Sequence, residues 1–152
     1  MTTLSQSLVQ HIIQEPRYAL PRTWDNSPYL DWKLKDPKTR GTIGERIVSK
    51  IIGVAVGSPF KKGDKDLKNG EEVKTMFLTK KGKFCINRLK SDCNIIYLVI
   101  VQPFSLMVRK TSRYKLIEAV SLKQQGSGNN DQFKLDLSID TLLHISTEVA
   151  SC

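Results

Sequence analysis

The sequence predicts an α/β fold, a mixed sheet flanked by helices, in one domain spanning residues 1–152. Three observations carry this prediction. Residues 40–53 space their apolar side chains as one face of a helix does, and residues 95–101 form an uninterrupted β-branched apolar run. Asn69-Gly70 is a preferred pair for a tight hairpin turn. A chain of this length can bury its own core, which favours a single domain.

The N-terminal part of the chain predicts a helix over residues 4–13, followed by turns at Pro16, Pro21 and Pro28, because proline interrupts helices. The next predicted helix covers residues 40–53 and ends at Gly53, a residue type that commonly terminates helices. We place Glu45 in the first turn of that helix. An acidic residue there is favoured by the helix dipole alone, so this position does not by itself indicate function.

A β-hairpin is predicted around Asn69-Gly70, with antiparallel strands at residues 64–68 and 71–78. Both central residues of a type I′ turn need positive φ, which Asn and Gly tolerate best. Side chains at i and i+2 of a strand share a face, so Glu72 and Lys74 should project together. Strict pairing would put Asp66 opposite Val73, on the other face, so a bulge or a divergence of the strands is needed to bring Asp66 close.

This group of acids and one lysine suggests metal-dependent chemistry. Two carboxylates at close range repel each other, and a hard divalent cation such as Mg²⁺, which prefers oxygen ligands, stabilises both in the charged form. Lys74 would stand beside an attacking water, where it could orient or deprotonate the water or stabilise the charge of the transition state. A strand that reads Glu-x-Lys is also often an ordinary solvated face, so the motif needs support from the rest of the chain.

The rest of the chain predicts alternating short elements. Residues 80–83 indicate a turn, and residues 84–90 are ambiguous between strand and short helix. The remaining predictions are strands at 94–102, 105–109 and 133–137, helices at 114–123 and 139–149, and a polar loop at 124–130. The last helix should be capped by Ser138 or Asp140.

The net charge points to a nucleic-acid partner. Lys and Arg number 24 against 15 Asp and Glu, a formal charge of +9. Excess positive charge favours binding to a polyphosphate through counterion release. The residues that we expect to approach double-stranded DNA are Lys80, Lys81, Lys83, Arg109, Lys110 and Arg113.

Other classes of protein receive little support from the sequence. The three cysteines lack paired spacing and the two histidines lie far apart, so neither a zinc site nor a disulfide framework is predicted. The apolar run at 95–101 is too short for a membrane span. The N-terminus does not read as a secretory signal, which makes the cytoplasm the expected location.

The run from Arg40 to Thr75 resembles the PD-(D/E)xK nuclease superfamily, which has the restriction-endonuclease fold. Glu72-Val73-Lys74 matches the (D/E)xK half of the motif, and Asp66 matches the upstream Asp. Lys65 stands where the motif has proline. Asp64 competes for the upstream position, although Asp66 is followed by an apolar residue, as the motif usually reads.

This resemblance implies catalytic roles for Asp66, Glu72, Lys74 and Glu45, since many members carry a metal-associated Glu on the helix before the motif strands. It implies Mg²⁺ (or Mn²⁺) held by Asp66 or Asp64 together with Glu72 and Glu45. It also implies the core of a restriction-endonuclease fold.

More narrowly, the whole chain is similar to cyanobacterial group I intron-encoded homing endonucleases of this superfamily. That similarity implies a cut in both strands of a long DNA target in an intronless allele. It also implies a homotetramer in which two subunits cut, whereas symmetry alone would suggest a dimer across a pseudopalindrome.

Rival readings of the sequence make different predictions. A type II restriction enzyme would cut at a short exact palindrome, and a junction resolvase would prefer four-way junctions to duplex. A non-catalytic DNA-binding module would need no Mg²⁺ and would bind without these acids. An RNA-binding or structural protein would bind RNA as well as DNA and cut neither.

Overall fold

The chain forms a mixed α+β structure in the computed structural model, which describes residues 5–13, 24–57, 66–87, 94–121 and 134–152. A mixed sheet flanked by helices is present, as the sequence predicts. The helices are α1 (Gln6–Ile13), α2 (Leu30–Lys33), α3 (Pro37–Ile52), α4 (Arg113–Ser121) and α5 (Ile139–His144). The strands are β1 (Glu72–Phe77), β2 (Phe84–Asn87), β3 (Ile95–Gln102), β4 (Ser105–Ser112), β5 (Lys134–Leu137) and β6 (Thr147–Ser151).

Two sheets organise the described residues. The larger has the strand order β1-β3-β4-β6, in which β1 and β3 are parallel and the other pairs are antiparallel. The smaller pairs β2 with β5 in antiparallel register. No helix within the described ranges is long and apolar enough to cross a membrane.

The strand β3 is buried on both faces and divides the core in two, as its apolar run predicts. Tyr97, Val99 and Val101 point to the side covered by α3, which we call the α3 face. Ile96, Leu98 and Ile100 point to the opposite side, the α4 face. The α4 face is covered by buried side chains of α4, α5 and the small sheet: Leu116, Leu142, Phe84, Ile86, Leu135 and Leu137.

Helix α3 begins three residues earlier than the sequence indicates. Asp36 caps it, because its carboxylate accepts the backbone N–H of Thr39 at 3.0 Å, and Pro37 follows at the first helical position. The helix ends at Gly53, which has a left-handed φ of 73°. Glu45 therefore lies in the third turn, not the first. The helix dipole, which acts on the terminal turns, does not explain an acid at this position.

The predicted hairpin is wrong. Strand β1 pairs with β3 in parallel register, while Leu67 forms an isolated antiparallel bridge with Val56. Gly70 has a φ of 88° but Asn69 does not have a positive φ, so the turn is not type I′. The buried β3 offers β1 a more apolar partner than the charged segment before it, and tertiary packing overrides the local turn signal.

The predicted C-terminal helix is too long. Helix α5 stops at His144 with Ser138 as its N-cap, and β6 then joins the edge of β4. The segment that follows Ser146 includes Thr147 and Val149, whose branched side chains favour strands. The ambiguous stretch after residue 83 is a strand over Phe84–Asn87, and the predicted polar loop at 124–130 lies outside the described residues.

Candidate active site

Glu72 and Lys74 form an ion pair at the start of β1. Lys74 Nζ lies 3.0 Å from Glu72 Oε1, and the Glu72 side chain is only 2 % exposed. Their partners across the parallel ladder are Ile96 and Leu98, so both side chains project from the α4 face. The sequence prediction that these two residues share a face is confirmed.

The second carboxylate oxygen of Glu72 has an unusual environment. Oε2 is buried and has no hydrogen-bond partner among the described residues. An unsatisfied buried acceptor costs about 1–3 kcal/mol, and more when it is charged. Strain, a bound water or a bound ion can each account for such a group, and a hard cation is a natural partner for a carboxylate oxygen.

Asp66 lies against the open edge of β1. Its Oδ2 accepts the backbone N–H of Val73 at 2.9 Å, which sets its carboxylate beside the peptide that joins Glu72 to Val73. Strand β1 is terminal in the strand order of the described sheet, so this edge is available to Asp66. Leu67, 1 % exposed within the core, anchors the position. Asp64 lies outside the described residues.

Glu45 belongs to the other side of the sheet. It follows Gly44, which lies against Thr75 of β1 on the α3 face. No three His, Cys, Asp or Glu side chains in the described ranges lie together in a group that could hold a metal. Among the described residues, Asp66 and Glu72 thus lie at the start of β1, and no third acid, Glu45 included, joins them in such a group.

These residues can be tested against the Mg²⁺ (or Mn²⁺) that the sequence suggests. Mg²⁺ in enzymes is commonly bound by one or two carboxylates, several waters and substrate phosphates. The unpartnered Oε2 of Glu72 and the neighbouring Asp66 fit such an open site.

A polar pair that the sequence did not reveal lies next to the motif. Glu71 interacts with the hydroxyl of Tyr97, and Glu71 Oε2 is buried without a hydrogen-bond partner in the described part of the chain. Burial raises the pKa of Tyr97 above its usual value, and the Glu71 carboxylate raises it further. Adjacent acids thus end on opposite faces, Glu71 towards Tyr97 and Glu72 towards Lys74. Only the pairing of β1 with β3 creates this contact.

The predicted basic turn is present between β1 and β2. Thr79 N–H donates to Lys83 O at 2.9 Å and Gly82, with a φ of 75°, completes the turn. Lys80, Lys81 and Lys83 are exposed on it and line an open groove of about 310 Å³. The groove also contains Asp136, so its charge is not uniformly positive.

Arg109 has a structural environment that the sequence did not suggest. Its guanidinium donates to Ser146 Oγ at 2.6 Å, Ser146 O at 2.8 Å and Leu143 O at 3.3 Å. These bonds tie β4 to the connection between α5 and β6. These hydrogen bonds account for the position of Arg109 without a contact to DNA.

The other two predicted DNA-binding residues of this region differ from Arg109. Lys110 is exposed on the α3 face, with Nζ 5.9 Å from the centre of the Tyr97 ring. Arg113 begins α4, and its Nε is buried without a hydrogen-bond partner among the residues described.

The whole chain was also compared with known proteins. Searches against models of protein families, curated proteins and solved structures found no significant match.

Proposed function

We propose that the protein is a Mg²⁺-dependent endonuclease that hydrolyses phosphodiester bonds in double-stranded DNA. The observation that carries the proposal is the buried Glu72, paired on one oxygen with Lys74 and unpartnered on the other, beside Asp66. A surface salt bridge would not bury its acid to 2 % exposure and leave an oxygen unsatisfied. The sheet that pairs β1, β3 and β4, with α3 against it, would be the core of a restriction-endonuclease fold.

Each residue would have a distinct task. Glu72 and Asp66 would hold the divalent ion, which when bound polarises the scissile phosphate and lowers the pKa of a bound water. Glu72 also holds the Lys74 ammonium in place through the 3.0 Å contact. Lys74 would position the attacking water or stabilise the negative charge that grows on the phosphate oxygens. Asp66 is fixed by its bond to the Val73 N–H, which keeps it at the edge of β1.

The net charge of +9 supports a DNA substrate, because it draws a polyanion towards an acidic site that would otherwise repel it. Lys80, Lys81 and Lys83 would contact backbone phosphates from the turn after β1, and Lys110 and Arg113 would do so from the end of β4. The sequence resemblance to intron-encoded homing endonucleases would further imply that the protein cuts both strands of one long, rare target and acts as a homotetramer.

The first experiment is incubation of the purified protein with plasmid libraries of source-genome DNA, followed by mapping of all ends. Parallel reactions contain Mg²⁺, Ca²⁺ or chelator. Discrete Mg²⁺-dependent ends at a single long site support a homing endonuclease. Ends at every copy of a short palindrome would support a restriction enzyme instead. Binding without cutting in any metal would overturn the catalytic role of this group.

Two pairs of variants test the residues. Glu72→Gln and Lys74→Ala should retain DNA binding in Ca²⁺ and lose cleavage by orders of magnitude, since they remove stabilisation of the transition state more than ground-state contact. Equal losses of binding and cleavage would contradict these roles. Asp66→Asn and Asp64→Asn, made separately, identify the upstream ligand, because only the true ligand should abolish the Mg²⁺-dependent activity.

A further inference from the structure

Arg113 and Glu72 lie at the same end of the large sheet. The strand register forms a row from Glu72 through Ile96 to Thr111, across β1, β3 and β4. Neighbouring strands are about 4.8 Å apart, so two steps separate the Cα atoms of Glu72 and Thr111 by about 10 Å. Arg113 follows Thr111 by two residues, where β4 passes into α4.

Glu72 and helix α4, which Arg113 begins, also lie on the same face. Ile96 belongs to the core of the α4 face, and Thr111 donates to Ile145 O, part of the same core, at 2.6 Å. Helix α4 is held there by Leu116, which is fully buried. The start of the helix is fixed, because Arg113 N–H donates to Asn94 O at 3.1 Å and Ser112 Oγ accepts the Lys115 N–H at 3.2 Å.

Two oppositely charged groups at this end each have a buried polar atom without a hydrogen bond. Glu72 Oε2 is one and Arg113 Nε is the other, and neither has a partner among the described residues. Burying either atom unsatisfied is unfavourable, and the two do not bond to each other. The complementary ligands are a cation for the carboxylate and an anion for the guanidinium.

We infer that Arg113 binds the phosphate group of the DNA strand that is being cut. A guanidinium presents planar, parallel N–H donors that match two phosphate oxygens, and it is always charged. The first turn of α4 contains no acid that would compete for it. With Lys74 on one side and Arg113 about two strands away, the phosphate would be held between two cations, beside the divalent ion that Glu72 and Asp66 would hold. This inference rests on the proposed function.

The test compares three variants in DNA binding with Ca²⁺ over a series of salt concentrations. Arg113→Ala should lower the slope of log affinity against log salt by about 0.9, the value for one lost phosphate contact. Arg113→Lys should keep the slope, because the charge remains. Lys115→Ala is the matched control on the same helix, since Lys115 is exposed on α4.

The same variants are compared in single-turnover cleavage of DNA at saturating protein. Both Arg113 variants should cut more slowly than wild type by roughly 10²-fold, and Lys115→Ala should match wild type.

A second arm identifies the phosphate. Once the cut is mapped, a duplex with a neutral methylphosphonate at that phosphate should bind wild type more weakly. It should weaken the binding of Arg113→Ala by a smaller factor than that of wild type, because one of the contacts to this phosphate is already absent. Additive losses would place Arg113 on another phosphate and overturn the assignment.

The outcomes separate this inference from the proposed function. If wild type cuts DNA while Arg113→Ala matches Lys115→Ala in slope and rate, the inference is wrong and the nuclease remains. If wild type never cuts, the nuclease proposal fails, and with it the role in cutting, whatever the slopes show. Thermal unfolding of each variant shows whether the fold is retained. If Arg113→Ala does not fold, the cleavage rate of Arg113→Lys against Lys115→Ala decides: an Arg113→Lys protein that cut as fast as Lys115→Ala would overturn the inference.

Discussion

Gly44 of α3 lies directly against Thr75 of β1. A Cβ built on Gly44 would stand 1.8 Å from Thr75 Oγ1 and 3.1 Å from Thr75 Cβ. A methyl group fits there only if the Thr75 side chain rotates or the helix and the strand move apart. This contact sets the distance between α3 and the strand that carries Glu72 and Lys74.

Gly44→Ala should therefore destabilise the protein by about 1–3 kcal/mol, the usual range for overpacking a core. Gly41→Ala is the control, because a Cβ at that position meets nothing within 4 Å. It should be neutral or stabilise the helix by about 0.5–1 kcal/mol, the intrinsic advantage of Ala over Gly. Urea denaturation measures both. Thr75→Ala in the Gly44→Ala background should restore part of the loss, and a Gly44→Ala protein as stable as Gly41→Ala would contradict the close contact.

The sequence predicted the elements whose signals are local and strong. The apolar run of β3 and the amphipathic pattern of α3 with Gly53 at its end are both present. The hairpin and the last helix were predicted wrongly, because both depend on a competition between local preference and a distant partner. Strand β1 pairs with β3, and the residues after Ser146 complete a sheet with β4 instead of continuing α5.

In the candidate site, too, features set by local sequence were predicted and features set by distant partners were not. Glu72 and Lys74 were predicted to share a face from their spacing alone, and they do. Contacts that depend on strand register were not foreseen: the Glu71 carboxylate at Tyr97, and the position of Arg113 at the same sheet end as Glu72. Asp66 reaches the peptide before Val73 through the open edge of β1, a geometry that the predicted hairpin does not provide.

The Glu72–Lys74 pair makes a stability prediction that is independent of catalysis. In chelator, Lys74→Met should destabilise the protein by about 3 kcal/mol, because it leaves a carboxylate buried without its cation. Glu72→Gln added to Lys74→Met should recover part of that loss, since the buried charge is gone. Denaturant unfolding of the two single variants and the double variant gives the coupling. If the double variant lost the sum of the single losses, the two side chains would not interact.

Asp36 makes a prediction about pH. Two hydrogen bonds lower the pKa of Asp36 below its usual value of 3.8. The larger effect comes from the Thr39 hydroxyl and the smaller from the Thr39 backbone N–H. The folded state thus favours the ionised form. This stabilisation is fully present above the usual pKa and is lost as the pH falls through the lower folded value. Asp36→Ala should lower the unfolding temperature at pH 6, and its difference from wild type should narrow below about pH 4.

Thr39→Val is the companion variant, because it removes the hydroxyl that bonds Asp36 Oδ1 at 2.6 Å but keeps the backbone bond. Its effect on the unfolding temperature should have the same pH dependence as Asp36→Ala and a smaller size. A difference from wild type that stayed constant from pH 6 to pH 3 would show that the charge of Asp36 does not contribute.

Arg109 and Lys81 should respond to substitution in opposite ways, although the sequence predicted DNA binding for both. Arg109 makes three hydrogen bonds, of which the two to Ser146 are partly buried, so Arg109→Met should lower the free energy of unfolding by about 2–3 kcal/mol. The salt dependence of DNA binding by Arg109→Met should equal that of wild type.

Lys81 is exposed on the turn after β1, so Lys81→Gln should leave the free energy of unfolding unchanged. It should reduce the salt slope by about 0.9, as expected for one lost phosphate contact. Urea denaturation and fluorescence anisotropy at several salt concentrations measure the two effects, and an Arg109→Met protein that lost salt slope but no stability would reverse the assignment.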